Sequence, residues 1–198
     1  MADWCAMVLA GGHGRRLGGA VKPLLQVGGR SILARQMEAL ADLGATPRLV
    51  ASDPRPYAGL GIDVIPDAAD AGALGGLYTA VAHAGTPHVL VLAGDLPFLT
   101  APFLRALVDQ RHAADVVLPA PAGRRQPLCA VYAAAVAPHL ARAIAAGQWR
   151  VTRALDGLRV RTLDDDALAA FAPAARLLLN VNTPEDATAA RREAGEPG

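Results

Sequence analysis

Apolar runs of strand length alternate along this chain with segments of helical spacing, and that alternation constrains the fold more than any other feature. The runs are Cys5–Leu9, Arg48–Ala51, Val64–Ile65, Val89–Leu92, Val116–Leu118 and Leu128–Tyr132. Between them, Ser31–Leu43 carries Leu33, Met37 and Leu40 on one helical face, with Ser31 placed as the N-cap. Gly76–Ala84 and Pro102–Arg111 read as further helices, the second with Pro102 in its first turn. Val136, Leu140 and Ile144 give one apolar stripe to a helix over Ala134–Ala146. Arg159–Leu163 is a further strand candidate, and Asp164-Asp165-Asp166 reads as a turn and helix start. Strands alternating with helices in this way predict an α/β fold: a three-layer αβα sandwich around a Rossmann-like, mostly parallel sheet.

Ligands on such sheets sit beyond the carboxyl ends of the strands. There the first run opens into Leu9–Gly19 (LAGGHGRRLGG), with Lys22-Pro23-Leu24-Leu25 just beyond. Glycines let backbone N–H groups approach and point at a phosphate, because no Cβ intervenes. The cations then hold the charge such a ligand brings. A nucleotide phosphate site follows. It is not a Walker A loop, since Gly18-Gly19 continues as Ala20-Val21-Lys22 rather than Gly-Lys-Ser/Thr. It is not a dinucleotide fingerprint either, since Leu17 stands where the third glycine belongs.

The bulk properties narrow the partners. With 198 residues and a net charge of +1, the chain has no basic footprint for nucleic acid. The two cysteines, Cys5 and Cys129, lie in separate strand-like runs and read as buried free thiols rather than a disulfide or a zinc spacing. No secretory leader pattern opens the chain, and no apolar run is long enough to span a bilayer, so a cytoplasmic protein with no membrane partner is expected. The length fits a single domain over residues 1–194, with residues 195–198 as a disordered tail. The acidic triplet Asp164–Asp166 lacks the glycine and distal glutamate of a calcium loop, which favours a solvated helix start.

The first loop resembles the signature of nucleotidyltransferases that move a nucleoside monophosphate onto a phosphorylated acceptor. Within them, the chain is most similar to the bacterial molybdenum cofactor guanylyltransferase family. The likeness runs from Met7 to about Asp186 and is carried by Leu9-Ala10-Gly11-Gly12, Arg16-Leu17-Gly18-Gly19, Lys22, Gly72–Leu77, Gly94–Leu99, Gln126-Pro127-Leu128 and Asn180–Asp186. It implies the sheet type of the nucleotide-diphospho-sugar transferases. It also implies transfer of GMP from GTP to molybdenum-molybdopterin with release of pyrophosphate, and magnesium, or alternatively manganese, as the ion. Transient contacts with cofactor-delivering and cofactor-accepting proteins come with the same likeness.

By that resemblance, Arg16, Lys22 and Asp95 carry the chemistry, and Asp95 holds the metal. Leu9, Ala10, Gly11 and Gly12 contact the nucleotide, with Lys22, Asp53, Asp67 and Asp95. Asp95 also suits a metal by position, because it follows the run Val89–Leu92 at the carboxyl edge of the sheet. Asp53 is equally readable as a turn residue in Ser52-Asp53-Pro54. By the same resemblance Asn182 hydrogen-bonds pterin or phosphate, and it is equally readable as the cap of a helix beginning at Pro184, in competition with Thr183. Arg124 and Arg125 stand as candidates for the acceptor phosphate or as solvated loop residues. Val21 departs from the family, which commonly has aspartate before the loop lysine. The competing readings are a cytidylyltransferase for the same cofactor, a sugar-phosphate nucleotidyltransferase and a catalytically silent nucleotide-binding module.

Overall fold

The computed structural model describes residues 2–11, 19–67, 69, 71–171 and 173–196. Seven strands form the central sheet: β1 (Trp4–Leu9), β4 (Arg48–Ala51), β5 (Val64–Pro66), β6 (His88–Ala93), β7 (Val116–Pro119), β8 (Cys129–Ala133) and β9 (Val160–Leu163). Their order is β5-β4-β1-β6-β8-β7-β9, and only β8 runs against its neighbours. A small hairpin of β2 (Gln26–Val27) and β3 (Arg30–Ser31) lies apart from this sheet. Sequence reading missed the hairpin, because two-residue strands carry no measurable periodicity.

Both faces of the sheet are covered, as the uninterrupted apolar strands require. Along β1, Ala6 and Val8 enter one core cluster while Met7 and Leu9 enter the other. The first cluster is closed by α1 (Ile32–Ala41) and α3 (Ala101–Asp109) through Leu33, Leu40, Phe103 and Leu107. The second is closed by α2 (Gly72–Ala82), α4 (Ala137–Ala145) and α5 (Val151–Ala154) through Leu74, Leu77, Leu140 and Val151. Three more helices, α6 (Asp165–Leu168), α7 (Ala174–Leu177) and α8 (Pro184–Glu193), complete the described chain. Ala187 and Ala190 of α8 join Val27, Ile32 and Phe98 in a third, smaller cluster.

The local signals mostly act where expected. Ser31 caps α1, its hydroxyl accepting from the Ala34 N–H at 3.1 Å. Helix α2 begins four residues earlier than its apolar pattern predicts, with Gly72 at φ +56° opening the first turn. The stripe over Ala134–Ala146 is split into a 3₁₀ turn, Ala134–Val136, and α4. Glu196, inside the segment expected to be a free tail, accepts from the N–H groups of Gly28 and Gly29 in the hairpin turn. Cys5 and Cys129 are unpaired, and burial pushes the Cys129 thiol up to about 12. Among the described residues no helix is long and apolar enough to cross a membrane.

Candidate active site

From β1 the chain lays β4 and β5 to one side, then returns to place β6 on the other. The reversal leaves a crevice at the carboxyl ends of β1 and β6, where an open α/β sheet takes its ligand. A cleft of about 510 Å³ occupies that position, with Leu9, Gly11, Lys22, Asp67, Gly94 and Asp95 in its wall. A second cleft of about 430 Å³ adjoins it, with Asp95, Gln126, Arg150, Asn180 and Asn182 in its wall. Asp95, Ala93 and Leu128 line both. The two clefts therefore meet at one carboxylate.

Asp95 is held on all sides but one. Its Oδ2 lies 3.5 Å from the Lys22 ammonium. Lys22 donates a shorter bond, 2.5 Å, to the Asn182 side-chain oxygen. The backbone carbonyl of Asp95 accepts from Val181 N–H at 2.9 Å, which stitches the segment before α8 onto the turn after β6. Asp95 Oδ1, however, is buried and has no hydrogen-bond partner among the described residues. Burial pushes this carboxyl above its ordinary range, against the opposing pull of Lys22. A buried, unpartnered carboxylate oxygen is costly unless a cation or a donor arrives to satisfy it.

Two features of the local chain aim this carboxylate. A Cβ on Gly94 would lie 2.7 Å from the Pro23 ring and 2.9 Å from the Leu9 carbonyl oxygen. Only glycine lets the turn after β6 press against the end of β1 and the segment bearing Lys22. The second feature is Gln36 of α1, which sequence reading missed. It is 1% exposed, and its amide donates to the carbonyls of Ala93 at 2.8 Å and Leu96 at 3.0 Å. One side chain thus clasps both flanks of the Gly94-Asp95 turn. A glutamine in a helical pattern looks like a surface residue, and only the packing shows it points inward.

Asn182 and Thr183 divide the roles that the sequence left open. Thr183 is the cap of α8, accepting from Asp186 N–H at 3.1 Å, while Asp186 accepts from the N–H groups of Asn182 and Thr183 at 2.9 Å each. That capping box frees the Asn182 side chain for Lys22. The bond from Asn182 N–H, followed by those from Thr183, holds the Asp186 carboxyl below its ordinary range.

The remaining expectations separate. Asp67 lies in the wall of the first cleft, its Oδ1 accepting from the Thr79 hydroxyl at 3.0 Å and the Ala69 N–H at 3.3 Å. Gly75 beneath it is obligatory, since a Cβ there would lie 2.1 Å from the Ala69 oxygen. Leu9 and Gly11 reach the cleft, but Ala10 sits behind them. The Ala10 N–H donates to Val50 and its carbonyl accepts from the buried Tyr57 hydroxyl, each at 2.8 Å. Asp53 is not brought to the cleft. It turns to Arg55, pairing at 2.8 Å on an exposed turn, while its neighbour Ser52 lines the wall. The Arg55 guanidinium holds the Asp53 carboxyl below its ordinary range. Gly12 and Arg16 lie outside the described residues. Val21, where the family commonly has aspartate, packs half-buried against the core cluster of α1 and α3. Arg150 had no local signal at all, since it precedes a four-residue helix and reaches the second cleft only through the fold.

The model of the MobA-like NTP transferase domain matches residues 6–161. The molybdenum cofactor guanylyltransferase of Rhodopseudomonas palustris (strain BisB5) is 36% identical, over 94% of this chain and 92% of the relative. The crystal structure of molybdopterin-guanine dinucleotide biosynthesis protein A from Archaeoglobus fulgidus superposes with a TM-score of 0.81 at 26% identity, covering 96% of this chain and 98% of that one. Rv0371C of Mycobacterium tuberculosis H37Rv, solved as a complex with manganese, shares the fold at a TM-score of 0.71 and 21% identity, covering 96% of this chain and 99% of that one. The chain belongs to the MobA-like NTP transferases, and within them to the molybdenum cofactor guanylyltransferases.

Proposed function

We infer that this enzyme transfers GMP from GTP to the phosphate of molybdenum-molybdopterin, with the nucleotide in the first cleft and the acceptor in the second. The observation that carries the assignment of sites is the shared wall: Asp95 lines both clefts, and the Lys22–Asn182 bond ties a residue of one to a residue of the other. A reaction joining two large polyanions needs such a meeting point, with positive charge on it. The acceptor phosphate oxygen forms the new bond to the α-phosphorus of GTP, the bond from that phosphorus to the bridging oxygen breaks, and pyrophosphate leaves. No general base is required, because the attacking phosphate is already ionised near neutral pH.

The residues divide the work. Lys22 neutralises phosphate oxygens at the junction, and Arg16 of the glycine-rich loop is assigned the leaving pyrophosphate. Arg150, with Gln126 and Asn180, offers a charged and polar grip for the acceptor phosphate. Asp67, Leu9 and Gly11 present a carboxylate and backbone to the ribose or guanine. The unpartnered Asp95 Oδ1 fits a hard divalent cation, for which one carboxylate plus phosphate oxygens and water suffice. Magnesium held there would supply charge neutralisation for the phosphates. The unpaired thiols fit a reducing cytoplasm. Proteins that deliver molybdopterin and accept the product would meet the chain at the second cleft.

Titration calorimetry with GTP, CTP and ATP in the presence of magnesium tests the nucleotide assignment. GTP should bind with clear preference. Equal binding of CTP and GTP would transfer the assignment to a cytidylyltransferase.

A further inference from the structure

A cluster at the opposite end of the sheet takes no part in this chemistry. Asp3 precedes β1 and His88 opens β6, at the amino-terminal ends of the two strands whose carboxyl ends bear the clefts, and His112 reaches both from the segment after α3. Strand β1 alone, at 6 residues, separates the two ends by roughly 20 Å. One ligand atom from each of the three residues falls within 4.8 Å of the others. His112 Nε2 stands 3.3 Å from Asp3 Oδ2, and the two imidazoles meet edge to face with centroids 4.7 Å apart.

We propose that Asp3, His88 and His112 form a binding site for a borderline divalent metal such as zinc, distinct from the magnesium site at Asp95. The donor set carries the choice of ion: two imidazole nitrogens and one carboxylate suit zinc, whereas magnesium prefers oxygen alone. One pair already has the right spacing: His112 Nε2 and Asp3 Oδ2 stand 3.3 Å apart, as do two ligands about 2.0–2.1 Å from a tetrahedral zinc. The ligand atoms as a set span up to 4.8 Å, so the ion would draw His88 inward. Arg111 supplies an outer contact, donating to Asp3 Oδ2 from Nε at 3.0 Å and lying 2.9 Å from it through Nη2. A ligating carboxylate is commonly held in that way from outside. The guanidinium charge also repels a cation, which limits the affinity. The backbone carbonyl of Asp3, 3.4 Å from His88 Nδ1, keeps that ring beside the chain start. Bound metal would clamp the start of β1 to the end of α3.

The test is calorimetric titration of the untagged chain with zinc chloride, paired with thermal unfolding. One equivalent of zinc should bind and raise the melting temperature. His88→Ala and His112→Ala should each weaken binding by about tenfold or more and abolish the thermal shift. His139→Ala, with its ring on the Ala154 carbonyl in the α4–α5 region, should bind as the wild type does. His112 is 64% exposed, so its variant keeps the fold, and its magnesium-dependent turnover should be unchanged. Absence of saturable zinc binding overturns the proposal, as does equal binding by all four proteins. Failure of guanylyl transfer would leave this test untouched, because it reads metal binding alone.

Discussion

Asp95 joins two opposing demands in one side chain, burial and charge. Burial disfavours its ionised form, and the Lys22 ammonium pulls the other way. Asp95→Asn keeps the shape and removes the charge, so it should fold normally while turnover falls about a hundredfold or more, ~2.7 kcal/mol at the transition state. Circular dichroism and steady-state rates across magnesium concentrations check both halves. Lys22→Met should lower kcat more than it raises KM, if the ammonium acts chiefly as charge builds on the leaving group. Gln36 gives a different signature, because its amide donates to the two carbonyls around the turn and it lines neither cleft. Gln36→Leu should leave nucleotide binding near normal and raise the magnesium concentration needed for half-maximal rate, measured by titrating the ion at saturating GTP. The carboxylate and the lysine were legible in sequence from the turn after an apolar strand and from the loop. Gln36 was not, since nothing in a helical run tells which polar residue faces in.

At the scale of elements, the site depends on α8, which contributes no residue to the first cleft. Its capping box fixes Asn182, and Asn182 holds Lys22. Thr183→Ala should cost about 1 kcal/mol of stability, the usual price of a lost cap. The same change should lower turnover by loosening Asn182, and Thr183→Ser should restore both in chemical unfolding and rate measurements. The glycine pattern at the start of α2 was readable as family signature, but its physical reason lay in the fold. Gly75 packs under the Ala69 carbonyl beside Asp67, a contact no spacing in the sequence reveals. Of the two readings the sequence leaves open for Asp53, the turn prevails, because Arg55 two residues on takes its carboxylate.

Across the whole molecule, the alternation of apolar runs and helical patterns was enough to place the sheet, its covered faces and the edge that bears the clefts. It was not enough to reveal the second cleft, where Gln126, Arg150 and Asn182 converge from distant parts of the chain. The charge balance of the surface sets a pH dependence. Arg159 holds Asp115, and Arg55 holds Asp53, below the usual value of 3.8. Both carboxylates bind protons more readily in the unfolded chain, so their contribution is fully present above pH 3.8 and is lost as pH falls below it through the folded values. Asp115→Asn should flatten part of that acid slope in unfolding curves and lower stability at neutral pH by the same amount, a small one because Arg159 is largely exposed. Catalysis where the two clefts meet at Asp95 is tested most directly by pyrophosphate release. With molybdenum-molybdopterin and magnesium, the wild-type chain should release pyrophosphate from GTP and not from CTP, and Asp95→Asn should release almost none. Wild-type release by Asp95→Asn, with unchanged dependence on magnesium, would contradict it.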